Sequence, residues 1–309
     1  GVTLRLADKW VWDSWPFTDG QGSHHLFYLQ ADRSLPHPDQ RHWNPSIGHA
    51  VSTDYRTWTV LPDVIAPSET PSWDDCTTWT GSVVQGPTGR YHLFYTGTTK
   101  AEDGMVQRIG RADSDDLVHW ERFGDTFLVE ADPRWYERYD AAIWHDEAFR
   151  DPWVFEDPAG EGWHMLVTAR VPHGESFSRG VIGHAWSPDL DTWEVRPPLS
   201  APGGFGQMEV PQYVEIDGVP SLVFCSGAGF YDPAFKPADT PAGVWIMQND
   251  SGPLGPWDAT RARRVSHDSL YAARVIRDAD GVFRILGFSD TVDGEFVGEI
   301  LDPVELVFD

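Results

Sequence analysis

The chain is 309 residues long, 40% hydrophobic and 13% aromatic, which is enough apolar surface for one large core and too much for a disordered segment. Its 48 acidic residues against 23 basic ones give a net charge of −25, a field that repels phosphate backbones and anionic bilayers, so neither nucleic acid nor a membrane is expected as a partner. Two cysteines, Cys76 and Cys225, are too few for a disulfide framework, and no run of about 18 apolar residues is available to span a bilayer.

The amino terminus, Gly1-Val2-Thr3-Leu4, has neither an initiator Met nor the basic-then-apolar pattern of a leader, which leaves the compartment open between secreted and cytoplasmic. Composition speaks more clearly about fold. Glycine and proline number 29 and 24, Trp and Phe 16 each, and no stretch places apolar residues at i, i+3, i+4, i+7. An all-β fold is expected.

In chain order, the first signal is Val11-Trp12-Asp13-Ser14-Trp15-Pro16, then the strand His25-Leu26-Phe27-Tyr28, then Ser52-Thr53-Asp54-Tyr55-Arg56-Thr57-Trp58, a small polar turn leading to a Trp. The strand pattern returns as Tyr91-His92-Leu93-Phe94-Tyr95, Trp163-His164-Met165-Leu166-Val167, Ser221-Leu222-Val223-Phe224 and Phe283-Arg284-Ile285-Leu286-Gly287. The turn returns as Ser114-Asp115-Asp116-Leu117-Val118-His119-Trp120 and Ser187-Pro188-Asp189-Leu190-Asp191-Thr192-Trp193, and more weakly as Ser251-Gly252-Pro253-Leu254-Gly255-Pro256-Trp257. Five units of about 62 residues, each with about four strands, are the sequence form of a five-bladed β-propeller. In such a ring the Ser-Asp-x-x-x-Trp segments are structural, each a tight turn whose Trp fills the space between blades.

Twelve residues before the recurring strands stand Asp13, Trp79, Asp151, Glu209 and Tyr271. If these positions are equivalent, they lie on the first strand of each blade, nearest the axis, and three carboxylates meet in one funnel. Converging like charges raise each other's proton affinity, so the cluster offers a protonated acid beside an ionised partner, the equipment of a glycosidase. Asp13 is flanked by Trp12 and Trp15, faces on which a sugar ring can stack. Arg150 is expected to hold its neighbour Asp151 ionised and to give fixed donors to hydroxyl groups. Glu209 sits in Gln207-Met208-Glu209-Val210-Pro211, surroundings apolar enough to favour its neutral form.

The segment Val11-Trp12-Asp13-Ser14-Trp15-Pro16 resembles the nucleophile motif of the levansucrase-type enzymes of glycoside hydrolase family 68. Phe149-Arg150-Asp151-Pro152 is similar to the Arg-Asp-Pro motif shared with family 32, the invertases and fructanases. Trp79-Thr80-Gly81-Ser82 resembles the Trp-Ser-Gly-Ser segment of the same group, and Ile47-Gly48-His49-Ala50-Val51-Ser52-Thr53-Asp54 followed by Trp58 looks like a family 32 first blade. The resemblance implies retaining cleavage of β-fructofuranosides, with Asp13 as nucleophile, Glu209 as general acid then base, and Asp151 as transition-state stabiliser. Trp12, Trp79, Thr80, Ser82, Arg150 and Gln207 would contact the substrate.

Departures from these families bear on domains and substrate. Family 32 enzymes usually carry a β-sandwich after the propeller, whereas here the fifth recurring strand leaves about 19 residues after Asp290, so one propeller over residues 1–309 is expected without a sandwich. Gln207 stands where levansucrases tend to have a further acid, and the Ser-Arg-Gly expected after the fourth strand reads Cys225-Ser226-Gly227.

Among the twelve histidines there is no His-x-x-x-His helix, and no Cys-x-x-Cys pair occurs, so neither a metal nor another cofactor is expected. Structural or surface roles are expected for His24-His25, His267-Asp268, Asp74-Asp75, Asp113 and Asp115-Asp116, the acidic sets having calcium ligation as the alternative. Residues 130–147, rich in Trp and Tyr, and 230–240 are loops that either bind the leaving-group sugar or pack over the propeller edge. Two competing functions remain open: a furanosidase acting on another sugar, such as arabinofuranosides, and a non-catalytic sugar-binding propeller.

Overall fold

A computed structural model describes residues 1–309. After a short strand, β1 (Val2–Leu4), the chain forms five antiparallel sheets in succession. Blade 1 is β2 (Lys9–Thr18), β3 (His24–Asp32), β4 (Ser46–Ser52) and β5 (Thr59–Ile65). Blade 2 is β6 (Thr77–Gln85), β7 (Tyr91–Thr98), β8 (Arg108–Ser114) and β9 (Glu121–Arg122). Blade 3 is β10 (Phe149–Glu156), β11 (Trp163–Arg170), β12 (Gly180–Ser187) and β13 (Glu194–Arg196). Blade 4 is β14 (Glu209–Ile216), β15 (Val219–Ser226), β16 (Gly243–Gln248) and β17 (Arg263–Arg264). Blade 5 is β18 (Leu270–Arg277), β19 (Phe283–Ser289), β20 (Ile300–Leu301) and β21 (Val304–Glu305), with β1 paired to β20. The first strand of the chain thus completes the last blade and closes the ring. The residues after Asp290 are not left over; they supply the outer strands of blade 5.

The recurring apolar strands are the second strands, buried on both faces because each blade is covered by its neighbours. All eight residues of β11 and seven of the nine in β3 are buried. In the Ser-Asp-x-x-x-Trp turns, the Ser114 hydroxyl accepts from the backbone N–H of Asp116 and Leu117 at 3.1 and 2.8 Å, and Asp116 Oδ1 accepts from those of Val118 and His119. Leu117, at φ 68°, turns the chain so that Trp120 lies edge-on to Phe27 of blade 1, ring centroids 5.7 Å apart. One blade on, Ser187, Asp189 and Leu190 repeat the turn, and Trp193 meets Phe94 of blade 2 at 5.4 Å. The weaker fourth copy is capped by Asn249, whose side-chain oxygen accepts from the N–H of Ser251 and Gly252.

Every first strand carries one extra residue at the same height, between Val11 and Ser14, Trp79 and Gly81, Arg150 and Trp153, Glu209 and Gln212, and Tyr271 and Arg274. Counted from the matching pairs Trp15 with Phe27, Ser82 with Phe94, Trp153 with Leu166, Gln212 with Val223 and Arg274 with Leu286, strand register makes Trp12, Trp79, Arg150, Glu209 and Tyr271 the equivalent residues. Spacing in the sequence treated Asp13, Asp151 and Glu209 as equivalent; Asp13 and Asp151 are, each one place beyond that point, while Glu209 stands at it. The bulges matter because they re-aim side chains: Asp13 and Asp151 come from one position of the irregular segment and Glu209 from the position before it, yet all three face the axis.

Candidate active site

A cavity of about 690 Å³ opens at the bulged end of the axis, with Trp12, Asp13, Trp79, Arg150, Asp151 and Glu209 among its walls. The backbone is strained around it: Asp151, Val210 and Ala272 have φ of 61°, 53° and 47°, a region costly for any residue with a Cβ and most of all for β-branched Val210. Strain of about 1–3 kcal/mol per residue persists only where the surroundings over-determine it. Here a polar lattice crossing between blades does so.

The Thr80 hydroxyl of blade 2 donates to Asp13 Oδ2. The Thr80 carbonyl accepts from the Thr96 hydroxyl at 3.0 Å, and the Thr96 hydroxyl oxygen accepts from the Asp151 N–H at 2.9 Å. Asp151 Oδ2 in turn accepts from the Thr168 hydroxyl at 2.9 Å and from the strained Val210 N–H at 3.0 Å. Asp13, Asp151 and the residue after Glu209 are thereby joined by four hydrogen bonds across blades 1 to 4.

Arg150 lies between the carboxylates. Its Nη2 donates to Glu209 Oε2 at 3.1 Å and to Gln207 Oε1 at 3.0 Å, its Nη1 donates to Gln107 Oε1 at 3.1 Å, and its Nε stands 3.7 Å from Asp151. With Asp146 at 3.6 Å as well, the expected pairing with Asp151 is the longest of three carboxylate contacts, and the surroundings of Glu209 are not the apolar ones its sequence neighbours implied. The bulge turns the guanidinium of a blade 3 residue toward blade 4, while the Tyr271 hydroxyl of blade 5 donates to Glu209 Oε1.

Removal from water and the facing Asp151 push the Asp13 carboxyl well above the usual carboxylate range, against the opposing pull of the Thr80 hydroxyl and the Arg274 charge. Asp151 is also raised, by burial above all, with Arg150 acting against it. These opposed effects leave a cluster that holds a proton near neutral pH.

The remaining expected residues divide. Trp12, Trp79, Thr80 and Gln207 line the cavity, Gln207 with its oxygen committed to Arg150 and Thr80 with its hydroxyl committed to Asp13. Ser82 does not reach it. Two positions further along β6 than Thr80, it is fully buried, and its hydroxyl accepts from the Val154 N–H of blade 3 at 3.0 Å, so it joins blades instead of touching substrate. Cys225 is buried behind Glu209, its thiol donating to the Glu209 carbonyl at 3.5 Å and raised by burial.

The aromatic loop 130–147 packs over the propeller edge and also reaches the cavity. Tyr136 and Trp144 are buried, Trp144 over Arg170 and against Phe230 of the second loop, while His145 and Asp146 reach the cavity rim. The acidic sets are engaged by protein: Asp74 accepts from Ser68, Tyr95 and Arg122, and Asp113 from His92 and Arg111.

Sequence reasoning missed Tyr271 as a partner of Glu209, Gln107 as a partner of Arg150, the cavity-lining Arg41, and Arg274, whose signal was a charge in the middle of the apolar run Ala272-Ala273-Arg274-Val275-Ile276.

Fold and site together define the class: a five-bladed propeller whose axial well carries the carboxylates and the fixed cation that glycosidic-bond cleavage needs. The description "Glycosyl hydrolases family 32 N-terminal domain" matches residues 6–296, and the chain belongs to that family. An extracellular sucrase of Zymomonas mobilis is 27% identical over 298 residues, covering 82% of this chain and 70% of that protein. A levansucrase of the same organism is 26% identical over 294 residues, 82% of this chain and 67% of that one. Among solved structures, inulosucrase from Halalkalicoccus jeotgali bound to kestose superposes with a TM-score of 0.77 at 24% identity, over 96% of this chain and 84% of that chain. Sucrose-6-phosphate hydrolase from Lactobacillus gasseri does so with a TM-score of 0.73 at 19% identity, over 96% and 60%. These last two likenesses concern fold.

Proposed function

We propose that the protein cleaves β-fructofuranosides, sucrose or short fructans, with retention at the anomeric carbon, and transfers the fructosyl group when a sugar hydroxyl outcompetes water. The observation that carries this reading is the meeting of Asp13, Asp151 and Glu209 around Arg150 in one axial cavity. The names of the sequence relatives, a sucrase and a levansucrase, support the substrate class.

Asp13 is the nucleophile. Thr80 holds one of its oxygens, which fixes the carboxylate in the wall of the well for attack. Glu209 protonates the glycosidic oxygen as the bond breaks and then takes a proton from the incoming water or sugar. Its two oxygens are held by Arg150 and Tyr271, which fixes the carboxyl plane. Asp151, carrying two donors on one oxygen, accepts from ring hydroxyls and stabilises the positive charge that develops on the furanose. Trp12 and Trp79 supply apolar faces for the rings. Residues 1–309 form the catalytic propeller in this reading.

The test is incubation with sucrose, levan, inulin oligomers and aryl arabinofuranosides, with products resolved by chromatography and the first-formed anomer read by NMR. Release of β-fructofuranose is expected; exclusive cleavage of arabinofuranosides, or inversion, would overturn the reading.

A further inference from the structure

Arg274 is fully buried, and its three polar contacts are all backbone carbonyls on other blades. Nε donates to the Ser14 carbonyl of blade 1 at 3.0 Å, Nη1 to the Pro211 carbonyl of blade 4 at 2.8 Å, and Nη2 approaches the Gly81 carbonyl of blade 2 at 3.5 Å. No carboxylate lies within ion-pair distance of it; its ring contact is with Trp153 of blade 3, at 4.9 Å. A buried guanidinium without an ionic partner is expensive, and in most cores an apolar residue would serve better. The three carbonyls explain its position. Ser14 follows Asp13, Gly81 follows Thr80, and Pro211 stands two residues after Glu209, so each acceptor belongs to the bulge that aims one member of the site.

We infer that Arg274 is a positioning residue of the active site: its planar fork pins the bulges of blades 1, 2 and 4 in one relative geometry and places a fixed positive charge among the bulges that carry the carboxylates. The inference rests on the proposed roles of Asp13 and Glu209. The groups that share this field are few and can be named. Asp13 faces Asp151, Glu209, Arg274 and Arg41; Asp151 faces Arg150, Arg274, Glu209 and Asp13; Glu209 faces Arg150, Tyr271, the buried Cys225 thiol and Asp290. Of the three arginines in this field, Arg41 and Arg150 line the cavity, whereas Arg274 is fully buried outside its lining. A cation there favours the ionised form of Asp13, so its loss moves the acid limb of the pH profile upward.

Arg274→Lys and Arg274→Met separate the two contributions. Lysine keeps the charge and loses the fork; methionine loses both. With circular dichroism and thermal melts establishing the fold, kcat and KM on sucrose are measured from pH 4 to 9, and the Asp13 carboxyl is titrated in parallel by carbon-13 NMR. For Arg274→Lys, kcat falls at least tenfold with KM little changed and the acid limb stays in place. For Arg274→Met, kcat falls further and both the limb and the Asp13 titration move up by about one pH unit, as loss of one near charge implies. Wild-type kcat in the lysine variant overturns the positioning role, and an unmoved Asp13 titration in a folded methionine variant overturns the electrostatic one. Should the methionine variant not fold, the lysine variant still decides the positioning role by its kcat. Absence of sucrose cleavage by the unmodified protein would fail the functional proposal instead, and the NMR titration would still judge Arg274.

Discussion

A carboxylate forced to stay in the well is a cost to the fold, and the sign of that cost can be worked out for Asp13. Its proton affinity is raised in the folded state, so between the ordinary carboxylate value of 3.8 and the raised value the folded protein binds more protons than the unfolded one, and stability falls as pH rises through that window. Asp13→Asn removes this penalty. Turnover is expected to drop by about a thousandfold or more, while the melting temperature rises, with a larger gain at pH 8 than at pH 4. A variant that melts lower at pH 8 would contradict this account of the well. Thr80→Val tests the other side of the balance. Without its hydroxyl donor the Asp13 carboxyl rises further, so the acid limb of kcat/KM moves to higher pH and activity at neutral pH falls about tenfold, the worth of a hydrogen bond to a charged group. Thr80→Ser restores both. Identical pH profiles for the valine and wild-type proteins would remove Thr80 from this role.

The blades carry a second titrating device, in their second and third strands. His25 of β3 bonds His49 of β4 at 2.8 Å and Asp19 at 2.9 Å; two blades on, His164 of β11 bonds His184 of β12 at 2.9 Å and Asp157 at 2.7 Å. Burial pushes His49 and His184 down to about 3, so the folded protein keeps them neutral while the unfolded chain protonates them below about 6.5. Stability conferred by each is present above that value and is lost as pH falls below it, at up to about 1.4 kcal/mol per pH unit per residue. Urea midpoints measured from pH 7 to 4.5 should therefore fall less steeply in His49→Gln and His184→Gln than in wild type; equal slopes would show that neither imidazole carries the acid sensitivity. In the same blades, Trp193→Ala should cost about 3–5 kcal/mol, because it empties the space against Phe94, and Ser187→Ala about 1 kcal/mol, because two turn N–H groups lose their acceptor.

At the scale of the whole ring, stability depends on a contact between its two ends. β1 lies on β20, and Leu4 is buried in the core shared by blades 5 and 1. Leu4→Ala should cost about 2–5 kcal/mol in urea denaturation, more than a single blade-edge substitution such as Val219→Ala, which stands exposed on β15.

The repeat, the propeller, the inter-blade tryptophans and the three acids with Arg150 were all legible in the sequence, because turn chemistry, strand burial and residue type are local properties that recur at a visible spacing. Arg150 was read beside Asp151 because they adjoin in the chain, whereas one extra residue in β10 turns it to Glu209, 59 positions away. Ser82 was read into the pocket with Thr80, whereas the strand carries it down to Val154, 72 positions away. Arg274, 260 positions from the Ser14 carbonyl that it holds, had no local signature beyond its charge. By itself the sequence determined which blades form and which chemical groups they carry toward the axis. Only the closed ring decided which cation neutralises which carboxylate and which acid is left holding a proton, because those depend on distances across the axis and on the exclusion of water, and neither exists until all five blades are in place.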